Sequence, residues 1–283
     1  RYFHSSGHIV WILLSVSLVR DKQEQPLYFI SQIQDITPRK QAEARFKSLL
    51  AELKRSNRDL EDFASVVSHD LMSPLHKIQI LSEYLQEDYG EVLNEEGIGY
   101  LKRITEVRSR MQNLIEDLLT FSLVTTQGQP FTEMDLNKVV RGVISDLQAD
   151  SLIDVVWEIG ELPVISADSG QIYQLFQNLL GNSLKYRQPE ITLVVKICQT
   201  ATSQNNKLDR SWEIVIEDNG IGCDEAYLEQ IFEPCQRLHN SGEYEGTGLG
   251  LAICRRIIER HKGTISARSK LSEGARFIIS LPY

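Results

Sequence analysis

Phe46, Leu49, Leu53, Leu60, Phe63 and Val67 recur at three- and four-residue steps, with Ser56 as a polar interruption and charges between. This is the a/d seam of a coiled coil held for about three heptads, and it commits the stretch to a long helix whose stripe must be buried. Pro38 suits the opening of that helix, because a first-turn proline gives up an N–H that had no intrahelical partner. The pattern predicts a helix from Pro38 past Val67, through His69 and Pro74, towards Tyr84. Asp88-Tyr89-Gly90 begins a turn, and Asn94 followed by Glu95 and Glu96 marks a second helix start. Ile98, Leu101, Ile104, Met111, Leu114, Ile115, Leu118 and Leu119 then share one broad face. A hairpin of two such helices has one apolar side, and a second copy is the direct way to bury it, as a dimeric four-helix bundle.

Thr125 to Pro130 is polar and ends the hairpin. Beyond it the periodicity predicts helices near 137–149, 168–186 and 247–261, and strands near 131–136, 153–159, 190–199, 211–218, 263–269 and 275–281. That alternation is an α+β two-layer sandwich. Ahead of the hairpin, the β-branched run from Ile9, the polar turn Asp21–Pro26 and the return Leu27–Ile36 predict two or three strands. So few strands cannot bury a core, and they are read as the last hairpin of a larger domain.

The apolar run Ile9–Val19 is eleven residues long, against the about 20 that a bilayer requires, so no membrane segment is expected. The chain opens on Arg1-Tyr2-Phe3-His4, without an initiating Met or a signal peptide, and is expected to be a piece of something longer. A formal net charge of −9 argues against a nucleic-acid surface. The four cysteines, Cys198, Cys223, Cys235 and Cys254, show no metal-ligand spacing and read as free thiols of a reducing cytoplasm.

Three motifs carry chemistry. Asp218-Asn219-Gly220-Ile221-Gly222 follows the apolar strand Trp212–Glu217, placing a carboxylate at a strand end beside glycines that let backbone approach a ligand. Alone it is also a common turn. Gly246-Thr247-Gly248-Leu249-Gly250-Leu251 opens a helix whose free N–H groups and dipole favour an anion, but it lacks the Gly-Lys-Ser/Thr of a Walker loop. On the helix before them, Asn178, Asn182 and Lys185 recur at i, i+4 and i+7, on one face with Tyr186 next along. Such a stripe is either a solvated polar face or a set of oxygen ligands for Mg²⁺ beside a phosphate-neutralising cation.

In their order, Asn178…Asn182-x-x-Lys185-Tyr186, Asp218-x-Gly220-x-Gly222, Ile231-Phe232-Glu233-Pro234, Gly246-Thr247-Gly248-Leu249-Gly250-Leu251 and Gly274-Ala275-Arg276-Phe277 resemble the ATP-binding domain of histidine kinases. Upstream, Ser68-His69-Asp70-Leu71-x-Ser73-Pro74-Leu75 resembles the phosphoacceptor motif of their dimerisation hairpin, and Gln34-Asp35-Ile36-Thr37 is similar to the end of a PAS sensor domain. Around Phe232-Glu233-Pro234 and Gln236-Arg237-Leu238-His239, the likeness is closest to phytochrome-like kinases. The resemblance implies a division into a PAS remnant (1–37), a signalling helix (38–67), a phosphotransfer hairpin (60–125) and an ATP-binding domain (131–283). It implies that Asp218 receives the adenine amino group and that Asn182 holds Mg²⁺ with Asn178 beside it. It likewise implies that Lys185 and Tyr186 contact phosphates, that residues from Pro234 to Gly246 form a lid, and that Arg237 is a candidate for the γ-phosphate. The implied partners are a second copy and the receiver domain of a response regulator.

Six histidines are present. His69 stands out because Asp70 follows it. A carboxylate on one ring nitrogen fixes the tautomer and leaves the other free to attack, while phosphoryl transfer asks mainly for placement and charge neutralisation. Pro74 lacks an N–H and crowds the carbonyl of Asp70, so a bend is expected just beyond His69. His76, with no acid after it, is the internal rival. Where the family carries Thr or Asn four residues after the histidine, this chain has Ser73, whose hydroxyl bears on phosphatase activity. Two other readings are an ATPase with the same pocket, such as a chaperone-like or mismatch-repair-like machine, and a non-catalytic signalling scaffold. The hairpin with His69-Asp70 weighs against the first, and the full set of pocket residues against the second.

Overall fold

In the computed structural model, residues 1–124, 128–149, 153–200, 211–236 and 246–283 are described, without the side chains of residues 60–62 and 65. The chain divides into two compact units, Arg1–Phe63 and Ala64–Tyr283.

In the first unit, β1 (Tyr2–Phe3) pairs with β2 (Ile9–Val10), and β3 (Ile12–Arg20) with β4 (Pro26–Asp35), both antiparallel. The strand expected from Ile9 breaks at Trp11. There the backbone N–H donates to Thr37 Oγ1 at 2.8 Å and the carbonyl accepts the N–H of Ile36 at 2.8 Å. The polar turn is built by Asp21 Oδ1, which accepts from the N–H groups of Gln23 and Gln25. Leu13, Leu14, Val16, Tyr28, Phe29, Ile30 and Ile33 are exposed, as expected of a hairpin too small to bury itself.

The helix α1 spans Thr37–Tyr89, so Asp88 and Tyr89, expected in the turn, instead complete it. The helix runs unbroken across Pro74. The helix α2 (Glu95–Leu123) starts on Asn94, whose Oδ1 accepts the N–H of Gly97 at 2.9 Å, with Glu95 and Glu96 complementing the helix dipole.

The rest of the second unit is a two-layer α+β sandwich. Its elements are β5 (Thr132–Asp135), α3 (Leu136–Ala149), β6 (Val155–Ile159), β7 (Val164–Ala167), α4 (Ser169–Lys185), β8 (Leu193–Thr200), β9 (Ser211–Asp218), α5 (Gly250–Arg260), β10 (Thr264–Lys270) and β11 (Gly274–Pro282). The five-stranded sheet has the order β10-β11-β9-β8-β6, with only β6–β8 parallel. Alternation in the strands follows the pleat. Leu193, Val195 and Ile197 of β8, Ile214 and Ile216 of β9, and Phe277, Ile279 and Leu281 of β11 join the helices' apolar stripes in one core. Charged pairs such as Lys196–Glu158 and Arg276–Glu217 link neighbouring strands.

Two expectations shift. The strand β7, unforeseen, pairs with β5; it has four residues, directly after Pro163. The helix expected from 247 begins at Gly250, because Gly248 has φ +78° and cannot continue an α-helix.

Candidate functional site

The last residue of β9, Asp218, is buried, and among the described residues its carboxylate is held by two backbone N–H groups and one hydroxyl. Oδ1 accepts the backbone N–H groups of Gly220 at 2.9 Å and Ala275 at 3.2 Å, and Oδ2 accepts the hydroxyl of Ser183 at 3.0 Å. Burial pushes its pKa up, and these three bonds and the neighbouring Glu217 only modulate that. The backbone crowds in to achieve this. A Cβ on Gly220 would collide with the carbonyl of Tyr186, and one on Gly274, at φ +93°, with the carbonyl of Asp218. Gly220 thus shapes the carboxylate's surroundings, while Asp218 and Gly222 line the cavity.

That cavity, about 120 Å³, is enclosed by Asp218, Gly222, Cys223, Ser269, Ala275 and Phe277 among others. It shares Asn182, Tyr186, Ile231, Gln236 and Leu251 with a larger polar cavity of about 370 Å³, so the two are lobes of one cleft. The polar lobe is walled by Asn178, Asn182 and Lys185 from α4, by Tyr186 directly after it, and by Gly246, Thr247, Gly248 and Gly250 at the start of α5. The amide of Asn178 donates to the Gly250 carbonyl at 3.2 Å, tying α4 to that helix start. Lys185 Nζ donates to the Tyr186 hydroxyl at 2.8 Å and sits 4.4 Å from the centre of its ring. Leu249 faces the core instead, 2% exposed. Arg237 lies outside the described residues.

The donor set suits a hydrated Mg²⁺. Asn178 and Asn182 both line the polar lobe, and neutral amides of this kind, with space for the waters this cation keeps, fit it. Among the described residues there is no cluster of three or more His, Cys, Asp or Glu fit to cage a metal alone.

The structure adds residues that sequence reasoning missed. Ser183, one position past Asn182, faces the core side of α4 and holds Asp218. The hairpin also enters the cleft. Asn113, Glu116 and Asp117 of α2 line its polar lobe, and the Thr247 hydroxyl donates to the Asp117 carboxylate. Burial raises the Asp117 pKa, with the Thr247 bond acting in the opposite sense.

His69 stands on α1 with its side chain 87% exposed, and its Nδ1 lies 3.4 Å from Asp70 Oδ1. The neighbouring Ser68 is turned inward and bonds the Ala64 carbonyl. Ser73 and His76 are exposed on the same helix. Among the described residues, nothing from α1 lines either lobe of the cleft.

Residues 59–127 match the His Kinase A (phospho-acceptor) domain, and residues 167–283 the histidine kinase-, DNA gyrase B- and HSP90-like ATPase. The chain is 37% identical over 240 residues to the phytochrome-like protein Cph1 of Synechocystis sp., covering 83% of this chain and 30% of that protein. It is 36% identical over 237 residues to cyanobacterial phytochrome A of Nostoc sp., with the same coverages of 83% and 30%. The chain thus spans under a third of the length of these relatives. The structure of full-length ShkA in complex with AMPPNP superposes with a TM-score of 0.60 at 22% identity, covering 78% of this chain and 45% of that one, a likeness of fold. No helix among the described residues is long and apolar enough to cross a membrane.

Proposed function

This chain belongs to the sensor histidine kinases, carrying their phospho-acceptor and ATPase domains in order, and on that premise we propose that it phosphorylates His69 from ATP bound in the cleft. The observation that carries the reading is the cleft's division of labour. A small lobe ends on the buried Asp218, and a polar lobe lies between Lys185 and the start of α5. The small lobe suits adenine, whose exocyclic amine donates to the Asp218 carboxylate, with Phe277 and Ile231 against the ring. The polar lobe suits the phosphates, which meet Lys185, Tyr186 and the free N–H groups of the first turn of α5. Asn182, with Asn178 beside it, would hold Mg²⁺, which when bound neutralises charge on the phosphate oxygens. Arg237 is proposed for the γ-phosphate.

At His69 the Asp70 carboxylate keeps the proton on Nδ1, leaving the Nε2 lone pair to attack the γ-phosphorus. The N–P bond forms as the bond from phosphorus to the β,γ-bridging oxygen breaks, and ADP leaves with that electron pair. In the second step a carboxylate oxygen of a response-regulator receiver domain attacks the same phosphorus, the N–P bond breaks, and the imidazole returns. Ser73 places a hydroxyl one helical turn from His69, which supports phosphatase activity towards that partner. The same reading divides the chain into a PAS remnant (1–37), a signalling coiled coil (38–67), a hairpin (60–125) that pairs with a second copy, and the ATP-binding domain (131–283), in a cytoplasmic setting.

Incubation with γ-labelled ATP and Mg²⁺ is expected to place an acid-labile, alkali-stable label on the chain and none on a His69→Gln variant. Label retained in the variant would move the acceptor elsewhere, to His76 first.

A further inference from the structure

Asp117 and Thr247 lie 130 positions apart in sequence, yet they meet just ahead of the start of α5, in the lobe proposed above for the phosphates. The Thr247 hydroxyl accepts the N–H of Leu249 at 3.2 Å and donates to Asp117. The carboxylate is thereby held, through one hydroxyl, at the electropositive start of an eleven-residue helix. The contact is not solitary. Four residues on, Phe121 of α2 lies under the Arg256 guanidinium at 4.6 Å, so α2 docks along α5 over more than a turn. Glu116 brings a second carboxylate to the lining of the same lobe. A triphosphate entering that lobe meets like charge at short range, in surroundings less polar than water.

We propose that Asp117 is an intramolecular stand-in for a phosphate oxygen: with Thr247 it latches the hairpin onto the start of α5, and triphosphate binding and this docked pose exclude each other. The proposal rests on the nucleotide reading of the cleft. It gives α2 a role that the phosphoacceptor function does not require. Among the described residues none of α1 lines the cleft, so the latched pose does not set His69 against the phosphates. Nucleotide phosphates that displace Asp117 release α2 from α5, the step that frees the ATP-binding domain to approach His69.

The test is calorimetric titration of the whole chain, Asp117→Ala and Asp117→Asn with a non-hydrolysable MgATP analogue and, separately, with adenosine. The alanine variant is expected to bind the analogue about tenfold more tightly, the size of a lost charge-assisted bond. The asparagine variant, which keeps an acceptor for Thr247 but not the charge, should gain about threefold. Adenosine, which fills only the Asp218 lobe, should bind all three equally. If the parent chain binds the analogue but neither variant binds it more tightly, the latch is wrong and the nucleotide reading stands. Equal gains for analogue and adenosine also overturn it, because the substitutions would then have opened the whole cleft. If none of the three binds the analogue, the nucleotide reading fails and the latch with it.

Discussion

His261 closes α5 as a buried joint. Its Nε2 accepts the N–H of Asp168 at 3.1 Å, its Nδ1 donates to the Ile257 carbonyl at 2.8 Å, and Phe131 stacks on its ring at 4.5 Å. Asp168 caps α4, takes the Gln129 N–H at 2.6 Å and pairs with Arg260 at 2.9 Å, so the segment leaving the hairpin is fastened to both helices. The joint needs a neutral ring. Burial holds the His261 pKa below its ordinary 6.5; the Ile257 carbonyl and Asp168 oppose this, and the Arg260 charge adds to it. The unfolded ring takes its proton near 6.5 and the folded ring only at lower pH. Stability from this group is therefore present above about pH 6.5 and lost as pH falls through the folded value. Thermal unfolding is expected to come at lower temperature on going from about pH 7.5 to about 5.5, with a shallower dependence in His261→Gln. An identical dependence in the variant would assign the acid loss to other groups.

At the scale of elements, α1 carries a proline in its interior without interruption. A proline there forfeits the N–H that would bond the Asp70 carbonyl and typically costs about 3 kcal/mol. Pro74→Ala should therefore raise the helix melting temperature followed by circular dichroism; an unchanged or lower midpoint would mean that the surroundings already accommodate the ring. This helix and α2 were legible because heptad spacing and the Asn94 cap are local signals. The strand β7 was not, having only Ile165 and Ala167 to point inward. Of the cleft lining, Asp218, the stripe on α4 and the glycines before α5 are marked by local motifs that also fit a turn or a solvated face, and only their order, in its resemblance to histidine kinases, points to one cleft. Asn113, Glu116 and Asp117 carry no such mark, because they reach the cleft only through α2 packing on α5, a long-range contact that no local pattern encodes. Ser183 was hidden by sitting on the core side of a helix whose polar face drew attention.

At the scale of the whole molecule, the hairpin leaves apolar side chains without cover. Ile104 and Met111 are each 45% exposed and Leu118 47%, on the face expected to meet a second copy. A charge there should be costly once buried, so Ile104→Glu with Met111→Glu is expected to turn a dimer into a monomer in sedimentation experiments. A dimer that survives both would place the interface elsewhere. Such pairing sets four helices around one axis and presents two copies of His69. The most direct measurement is to react the chain with MgATP, digest it at neutral to alkaline pH, and locate the phosphoryl group by fragmentation mass spectrometry. The expected result is a single phosphoramidate on His69; phosphate on His76, Ser73 or Asp70 with His69 unmodified would contradict it.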